Sequence, residues 1–303
     1  MKKANCNFAV IGGSQAYTLL AKGKIAGTRL GPAETPYGPS EALYLVETKG
    51  ARGAEGAKFL FLSRHGEERY SVTAPFINYR ANVYALKDRG AEWVLSWSGP
   101  GIINRLYQIG DLVVASDLID ETAGRPGTFF EGKGWGFIRQ NPVFCPQLSA
   151  IMHEALSALD IRHIVGGTYV CTRGPRLETP AEVHKYRILD ADFIGMTVAP
   201  ECFLARELEM SYVPLCYLTN LAEGIRERDY RPGELFEGLL TPDETERVDR
   251  AVGLLPAIVT EVAKRVQGVE RDSPCARSME RYRRAGILPE DWHEWVSVPA
   301  APG

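Results

Sequence analysis

The sequence predicts an α/β fold: one domain with a central mixed β-sheet flanked by helices over residues 1–267, then a C-terminal extension over 268–303. Three observations carry that expectation. Short apolar, β-rich runs alternate with longer stretches of helical spacing, the order that builds a largely parallel or mixed sheet. Four of those runs end on glycine or small polar residues. And 303 residues, 45% of them apolar, can bury a sizeable core without disulfide staples.

The elements follow in order. Phe8–Ile11 reads as a strand ending at Gly12-Gly13, and Ala42–Glu47 and Lys58–Ser63 read as two more. Asn78–Lys87 has helical spacing, Trp93–Ser98 is a strand closed by Gly99-Pro100-Gly101, and Asp111–Ser116 is another strand. Ile151, Ala155 and Leu159 place a helix over Gln147–Leu159. His163–Thr172, Asp192–Met196 and Val213–Thr219 read as strands, with helices near Pro180–Leu189 and Pro200–Leu208. A Thr-Pro start opens a long amphipathic helix over Thr241–Val266, in which Pro256 predicts a kink or break. Beyond Gly268 the chain turns charged. It reads as one short helix near Ser278–Ala285 and a loosely held tail, with Trp292 and Trp295 available to dock on a surface.

Composition excludes several function classes. A formal charge of -3 gives no electrostatic reason to expect nucleic acid. No apolar run is long enough for a membrane span, and the basic Met1–Lys3 start lacks the apolar stretch of a signal peptide, so a cytoplasmic protein is expected. The six cysteines form no CxxC pair and read as reduced, mostly buried thiols. The five histidines are scattered, and no metal site is expected.

The polar strand ends are Gly12-Gly13-Ser14, Ser63-Arg64-His65-Gly66, Ser98-Gly99-Pro100-Gly101 and Met196-Thr197. In an open α/β sheet, ligands collect beyond the carboxyl ends of the strands. Glycines let backbone N–H groups approach an anion, and hydroxyls, Arg and His add further donors. Ser14, Arg64, His65, Ser98, Gly99 and Thr197 together suit a phosphate dianion. Gly12-Gly13-Ser14-Gln15 is not the dinucleotide fingerprint, because its third glycine is missing.

Longer motifs sharpen this. They include Asn78-Tyr79-Arg80-Ala81-Asn82, Gly110-Asp111-Leu112-Val113 and Arg125-Pro126-Gly127-Thr128-Phe129-Phe130. They continue with Gly174-Pro175-Arg176-Leu177-Glu178-Thr179-Pro180-Ala181-Glu182, Gly195-Met196-Thr197-Val198-Ala199-Pro200-Glu201 and Thr219-Asn220. With the strand ends above, the chain from about Asn7 to Val266 resembles the trimeric purine nucleoside phosphorylase and 5'-methylthioadenosine phosphorylase family.

The resemblance implies a nucleoside phosphorylase-like fold, a homotrimer, a role in purine salvage, and purine nucleoside and inorganic phosphate as co-substrates, with no cofactor. It implies phosphate contacts from Ser14, Arg64, His65, Ser98 and Thr197, Met196 under the ribose, and Leu177 packed on the base. Glu178 and Asn220 would face the base edge, with Ala222 beside them. Glu178, Asn220 and His65 are the implied catalytic set. The residues themselves leave plainer roles open: a helix-start carboxylate for Glu178, core packing for Met196, a strand-end cap for Asn220.

Members taking 6-aminopurines carry an Asp-x-Asp pair where this chain has Asn220, Leu221 and Ala222. An amide that donates to a 6-oxo group and a Glu178 that accepts from N1–H imply 6-oxopurine nucleosides. The position near the sugar 5' group aligns with Pro232, followed by Gly233, Glu234, Leu235 and Phe236, an apolar wall that suits a 5'-methylthio group. Two departures stand out: Gln15 where the family has Gly, and Pro100, which removes a backbone donor. They keep open a hydrolase using water in place of phosphate, and a catalytically silent purine-binding paralogue.

Overall fold

The computed structural model describes residues 6–48, 56–226, 232–235 and 239–296. Within them the chain forms two main sheets and flanking helices.

The larger sheet is built around three parallel strands, β1 (Phe8–Gly12), β6 (Lys58–Ser63) and β7 (Trp93–Ser98), in spatial order β7-β1-β6. All of β1 and β7 is buried, so neither alternates apolar with exposed polar residues, and only the buried Ser96 and Ser98 interrupt the apolar run of β7. On one side follow β14 (Ser211–Tyr217), β9 (Leu112–Val114) and β11 (Ile164–Val165). On the other lie β5 (Leu43–Glu47) and β2 (Thr28–Gly31). β14 runs parallel to β7, while β5 and β2 are antiparallel additions. The short pair β3 (Glu34–Thr35) and β4 (Gly38–Pro39) stands apart.

The smaller sheet has the order β10-β12-β13-β8-β15, with β8 at Gly101–Ile102, β10 at Asp117–Glu121, β12 at Thr168–Thr172, β13 at Phe193–Gly195 and β15 at Asn220–Leu221. The sequence predicts one central sheet; the second arises because one expected strand is two. The run His163–Thr172 breaks at Gly166 and Gly167, whose φ values of 131° and 92° turn the chain from the larger sheet into the smaller. A Cβ on Gly167 would meet the Phe193 ring at 2.7 Å, so only glycine fits there.

Helices cover both faces: α1 (Ala16–Ala21), α2 (Tyr79–Asp88), α3 (Pro146–Ala158), α4 (Pro180–Ile188), α5 (Val198–Glu207) and α6 (Pro242–Arg265). α4 and α6 open alike, with Thr179 and Thr241 as N-caps, Pro at the first position, and Glu182 and Glu244 completing capping boxes. The break expected at Pro256 does not occur; α6 is continuous across it, and Ile258, Val259 and Val262 behind it are fully buried. Core packing there outweighs the lost backbone bond.

The extension holds the short helix expected near Ser278–Ala285, but the segment after it is not loosely held. A 3₁₀ turn at Pro274–Arg277, α7 (Glu280–Arg284) and a second turn at Trp292–Glu294 pack onto the domain. Met279, Tyr282, Trp295 and Val296 are buried in the same core as β1 and α2. Trp292 lies against Tyr84 of α2, ring centres 5.0 Å apart. The two tryptophans therefore dock on the extension's own chain. Residues 297–303 lie outside the described range. Among the described residues, no helix is long and apolar enough to cross a membrane.

Candidate active site

The parallel strands β1, β6, β7 and β14 finish at one edge of the larger sheet, with Gly12 opposite Ser63 and Cys216 opposite Ser98 in register. β12 and β13 finish beside each other in the smaller sheet, and β15 adds Asn220 opposite Gly101. The loops leaving these ends line one cavity of about 660 Å³. A hollow of about 780 Å³ behind Leu221 is lined by Arg105, Arg226 and Arg247, and none of the expected site residues opens onto it.

Ser14, His65, Ser98, Gly99, Leu177, Glu178, Met196, Thr197, Asn220 and Ala222 all line the 660 Å³ cavity. The loops of β1 and β7 touch: a Cβ on Gly13 would lie 2.5 Å from the Trp97 carbonyl oxygen, so glycine permits the contact. The Tyr217 hydroxyl holds that loop by donating to the Ser14 carbonyl at 2.8 Å. Ser98 Oγ lies 3.0 Å from the buried Tyr169 hydroxyl. Thr197 is the first residue before α5, yet makes no side-chain cap.

Arg64, expected on the phosphate, does not line the cavity in this structure, and its side chain is fully buried. Nη2 donates to the carbonyls of Ile11 and Trp97 and to Ser96 Oγ, at 2.9, 3.0 and 2.9 Å. Nη1 lies 3.5 Å from Glu201, and Nη1 and Nε make no hydrogen bond. Strand-end carbonyls and a buried carboxylate draw the guanidinium behind the loops.

His65 does line the cavity. Its Nδ1 is 2.8 Å from the Val72 carbonyl, which can only accept, so Nδ1 carries the proton. Burial, aided by the Arg64 charge, lowers its pKa to about 4. The ring is therefore neutral near pH 7 and Nε2 carries a lone pair. Tyr70, which sequence reasoning missed, stacks on the ring with centres 4.2 Å apart.

On the other wall, Glu178 does not cap α4, since Thr179 and Glu182 do. Its Oε1 accepts from the Thr172 hydroxyl at 2.5 Å. Burial raises its pKa, against the pull of that hydrogen bond. Asn220 Oδ1 accepts from Thr219 Oγ1 at 2.7 Å and Nδ2 donates to the Leu221 carbonyl at 3.0 Å. One N–H and one lone pair of the amide stay open.

At the apolar end, Pro232 is exposed and does not line the cavity; Leu235, Leu240 and Val248 do. Phe236 lies outside the described residues. Gln15 lines the cavity in a left-handed backbone conformation, φ 72°, which a glycine would adopt without strain. Tyr17, Thr73 and Glu223 also line it and carry no sequence signal of that role.

The loops at the strand ends of both sheets thus form one cavity lined by hydroxyls, glycines, an amide and a carboxylate, a lining rich in hydrogen-bonding groups for a small polar molecule. The profile of the Phosphorylase superfamily matches residues 7–262, and the chain belongs to that family. It is 36% identical over 260 residues to the 6-oxopurine nucleoside phosphorylase of Pyrococcus furiosus, covering 84% of this chain and 93% of that one. It is 36% identical over 223 residues to a probable S-methyl-5'-thioinosine phosphorylase of Methanopyrus kandleri, covering 73% and 82%. Among solved structures, a methylthioadenosine phosphorylase from an Antarctic soil metagenomic library superposes with a TM-score of 0.75 at 28% identity, covering 95% of this chain and all of that one.

Proposed function

We propose that this protein is a phosphorylase of purine nucleosides that prefers 6-oxopurines. One observation carries the reading: a single cavity is lined both by the loops of β1, β6 and β7 and by Glu178 and Asn220. Phosphate lies among Ser14, His65, Ser98 and Thr197, with Gly99 giving backbone access and Arg64 supplying positive charge from behind the loops. Met196 lies under the ribose, Leu177 against the base, and Ala222 leaves room where a carboxylate would contact a 6-amino group.

The chemistry follows. A phosphate oxygen forms the bond to C1' as the bond from C1' to N9 breaks. The electron pair leaves with the purine. The sugar gains positive charge in the transition state, which the adjacent dianion offsets. The proton that hydrogenphosphate gives up on becoming the sugar ester balances, by way of solvent, the one taken up at N7 of the leaving purine, whose N–H the open lone pair of Asn220 accepts. Its open N–H donates to O6, and Glu178 accepts from N1–H. The protein mainly positions the two reactants.

Leu235, Leu240 and Val248 give the cavity an apolar end that suits a 5'-methylthio group, which makes 5'-methylthioinosine a substrate to test beside inosine and guanosine. Assembly as a homotrimer and a cytoplasmic place in purine salvage belong to the same reading and rest on the family resemblance. A monomeric mass at micromolar concentration would remove the trimer.

The deciding experiment incubates the protein with inosine, guanosine, adenosine and their 5'-methylthio forms, with and without phosphate, and identifies the released base. Phosphate-dependent release of hypoxanthine or guanine is expected. Release that ignores phosphate would make the protein a hydrolase.

A further inference from the structure

We propose that Arg125 is a positioning residue that locks the base-side and sugar-side walls of the cavity into one geometry, an inference that rests on the phosphorolysis reading. Arg125 does not line the cavity. Its guanidinium instead joins two stretches of main chain that do carry lining residues.

Nη1 donates to the carbonyls of Met196 and Ala199, at 2.7 and 2.8 Å. Nη2 donates to the carbonyls of Arg173 and Thr172, at 2.5 and 3.3 Å. The first pair brackets Thr197 at the end of β13. The second pair is the end of β12, from which the chain runs through Gly174 to Leu177 and Glu178. Thr172 is also the residue whose hydroxyl holds Glu178. One side chain thus spans the strand end that carries Met196 and Thr197 and the strand end that carries the base-edge carboxylate.

The guanidinium is presented from a fixed loop. Thr128 Oγ1 and the Phe129 N–H both donate to the Glu207 carboxylate at 2.6 Å, and Phe129 and Phe130 are buried in the core. The Tyr79 ring lies 5.4 Å from the guanidinium carbon. Arg is suited to this task because its planar fork reaches several carbonyls at once, whereas the compact ammonium of Lys cannot span both strand ends.

The phosphate loops of β1 and β7 belong to the other sheet and make no hydrogen bond with Arg125. Loss of the clamp therefore shifts Met196, Thr197 and Glu178 relative to the phosphate contacts of Ser14, His65 and Ser98, which stay built. Misplacement by about 1 Å costs about a hundredfold in rate.

The test compares the full-length protein with Arg125→Lys and Arg125→Ala in inosine phosphorolysis and in direct titration of phosphate. We expect kcat to fall about a hundredfold in both variants, while the phosphate KM rises no more than about tenfold, the loss of the single Thr197 contact, and the fraction of molecules that bind phosphate stays within about threefold. Millimolar guanidinium chloride restores part of the Arg125→Ala rate and leaves Arg125→Lys unchanged. A kcat within about threefold of the parent in either folded variant overturns the proposal. So does a rate loss that follows the loss of phosphate-binding molecules, because that is a folding defect. If Arg125→Ala does not fold, the kcat and KM of Arg125→Lys decide. Absence of phosphorolysis in the parent is a separate result that refutes the enzymatic reading itself.

Discussion

Arg64 and Glu201 face each other 3.5 Å apart, both sealed from solvent behind the strand ends that feed the cavity. Glu201 has a second anchor in the Tyr212 hydroxyl, which donates to it at 2.7 Å. Removing one partner of a buried pair leaves the other charge uncompensated. Arg64→Ala should therefore cost about 3–5 kcal/mol of stability, read as a lower urea midpoint. Adding Glu201→Gln should recover part of that loss. An Arg64→Ala variant as stable as the parent would place the guanidinium in the cavity instead.

Base choice turns on Asn220 and Glu178. With adenine, Asn220 would meet a donor where it needs O6, and Glu178 would face the bare N1. Each unpaired buried group costs about 1–3 kcal/mol. Together they give about a hundredfold preference in kcat/KM for inosine-type over adenosine-type nucleosides. Asn220→Asp should move that ratio toward 6-aminopurines, and Glu178→Gln should lower turnover of 6-oxopurines. Equal kcat/KM for adenosine and inosine in the parent would contradict this base pocket.

His65 predicts how the site tells phosphate from sulfate. Its Nδ1 proton is committed to Val72, so Nε2 offers a lone pair to a ligand hydroxyl. Hydrogenphosphate has that proton and sulfate does not. Because the pKa is lowered to about 4, the ring is neutral through the working range. Sulfate should compete weakly with phosphate near pH 8 and better near pH 6, as a bound dianion draws a proton onto the ring. Inhibition constants for sulfate that do not change with pH would refute this.

Glu207 predicts a pH dependence of stability. Burial raises its carboxyl to about 7, against the pull of the Phe129 N–H and the Thr128 hydroxyl. The folded value lies above the ordinary 4.5, so the stabilisation is fully present below about pH 4.5 and is lost as pH rises through about 7. Over that window the parent should lose on the order of 1–3 kcal/mol relative to Glu207→Gln. Thermal melts of the two proteins between about pH 5 and 8 give the comparison, and parallel profiles would rule the group out.

Much of the larger sheet is legible in the sequence because buried parallel strands are unbroken apolar runs, as in β1, β6 and β7. In the smaller sheet β12 and β13 are legible within the runs His163–Thr172 and Asp192–Met196, but β8 and β15 are two residues long and β10 carries Asp117, Asp120 and Glu121. The site residues on loops after strands were legible as punctuation and motif. What could not be read is the direction of a side chain. Arg64 and His65 are neighbours, yet one turns behind the sheet and the other into the cavity. Glu201, Ser96 and the carbonyls of Ile11 and Trp97 decide this, and they are adjacent to Arg64 only after folding. Arg125 and Glu207 were missed as supports for the same reason, because their partners are backbone atoms of other segments.

The burial of Trp295 and Val296 bears on the order in which the chain is made. These residues are made after every strand of the two described sheets, yet they complete the core shared by β1 and α2. The sheet's first strands are synthesised earlier and wait, with part of their apolar face uncovered, until this segment arrives. A nascent chain halted near residue 268 holds every strand of both sheets and lacks that cover. It is the species on which a chaperone of emerging chains would find exposed core.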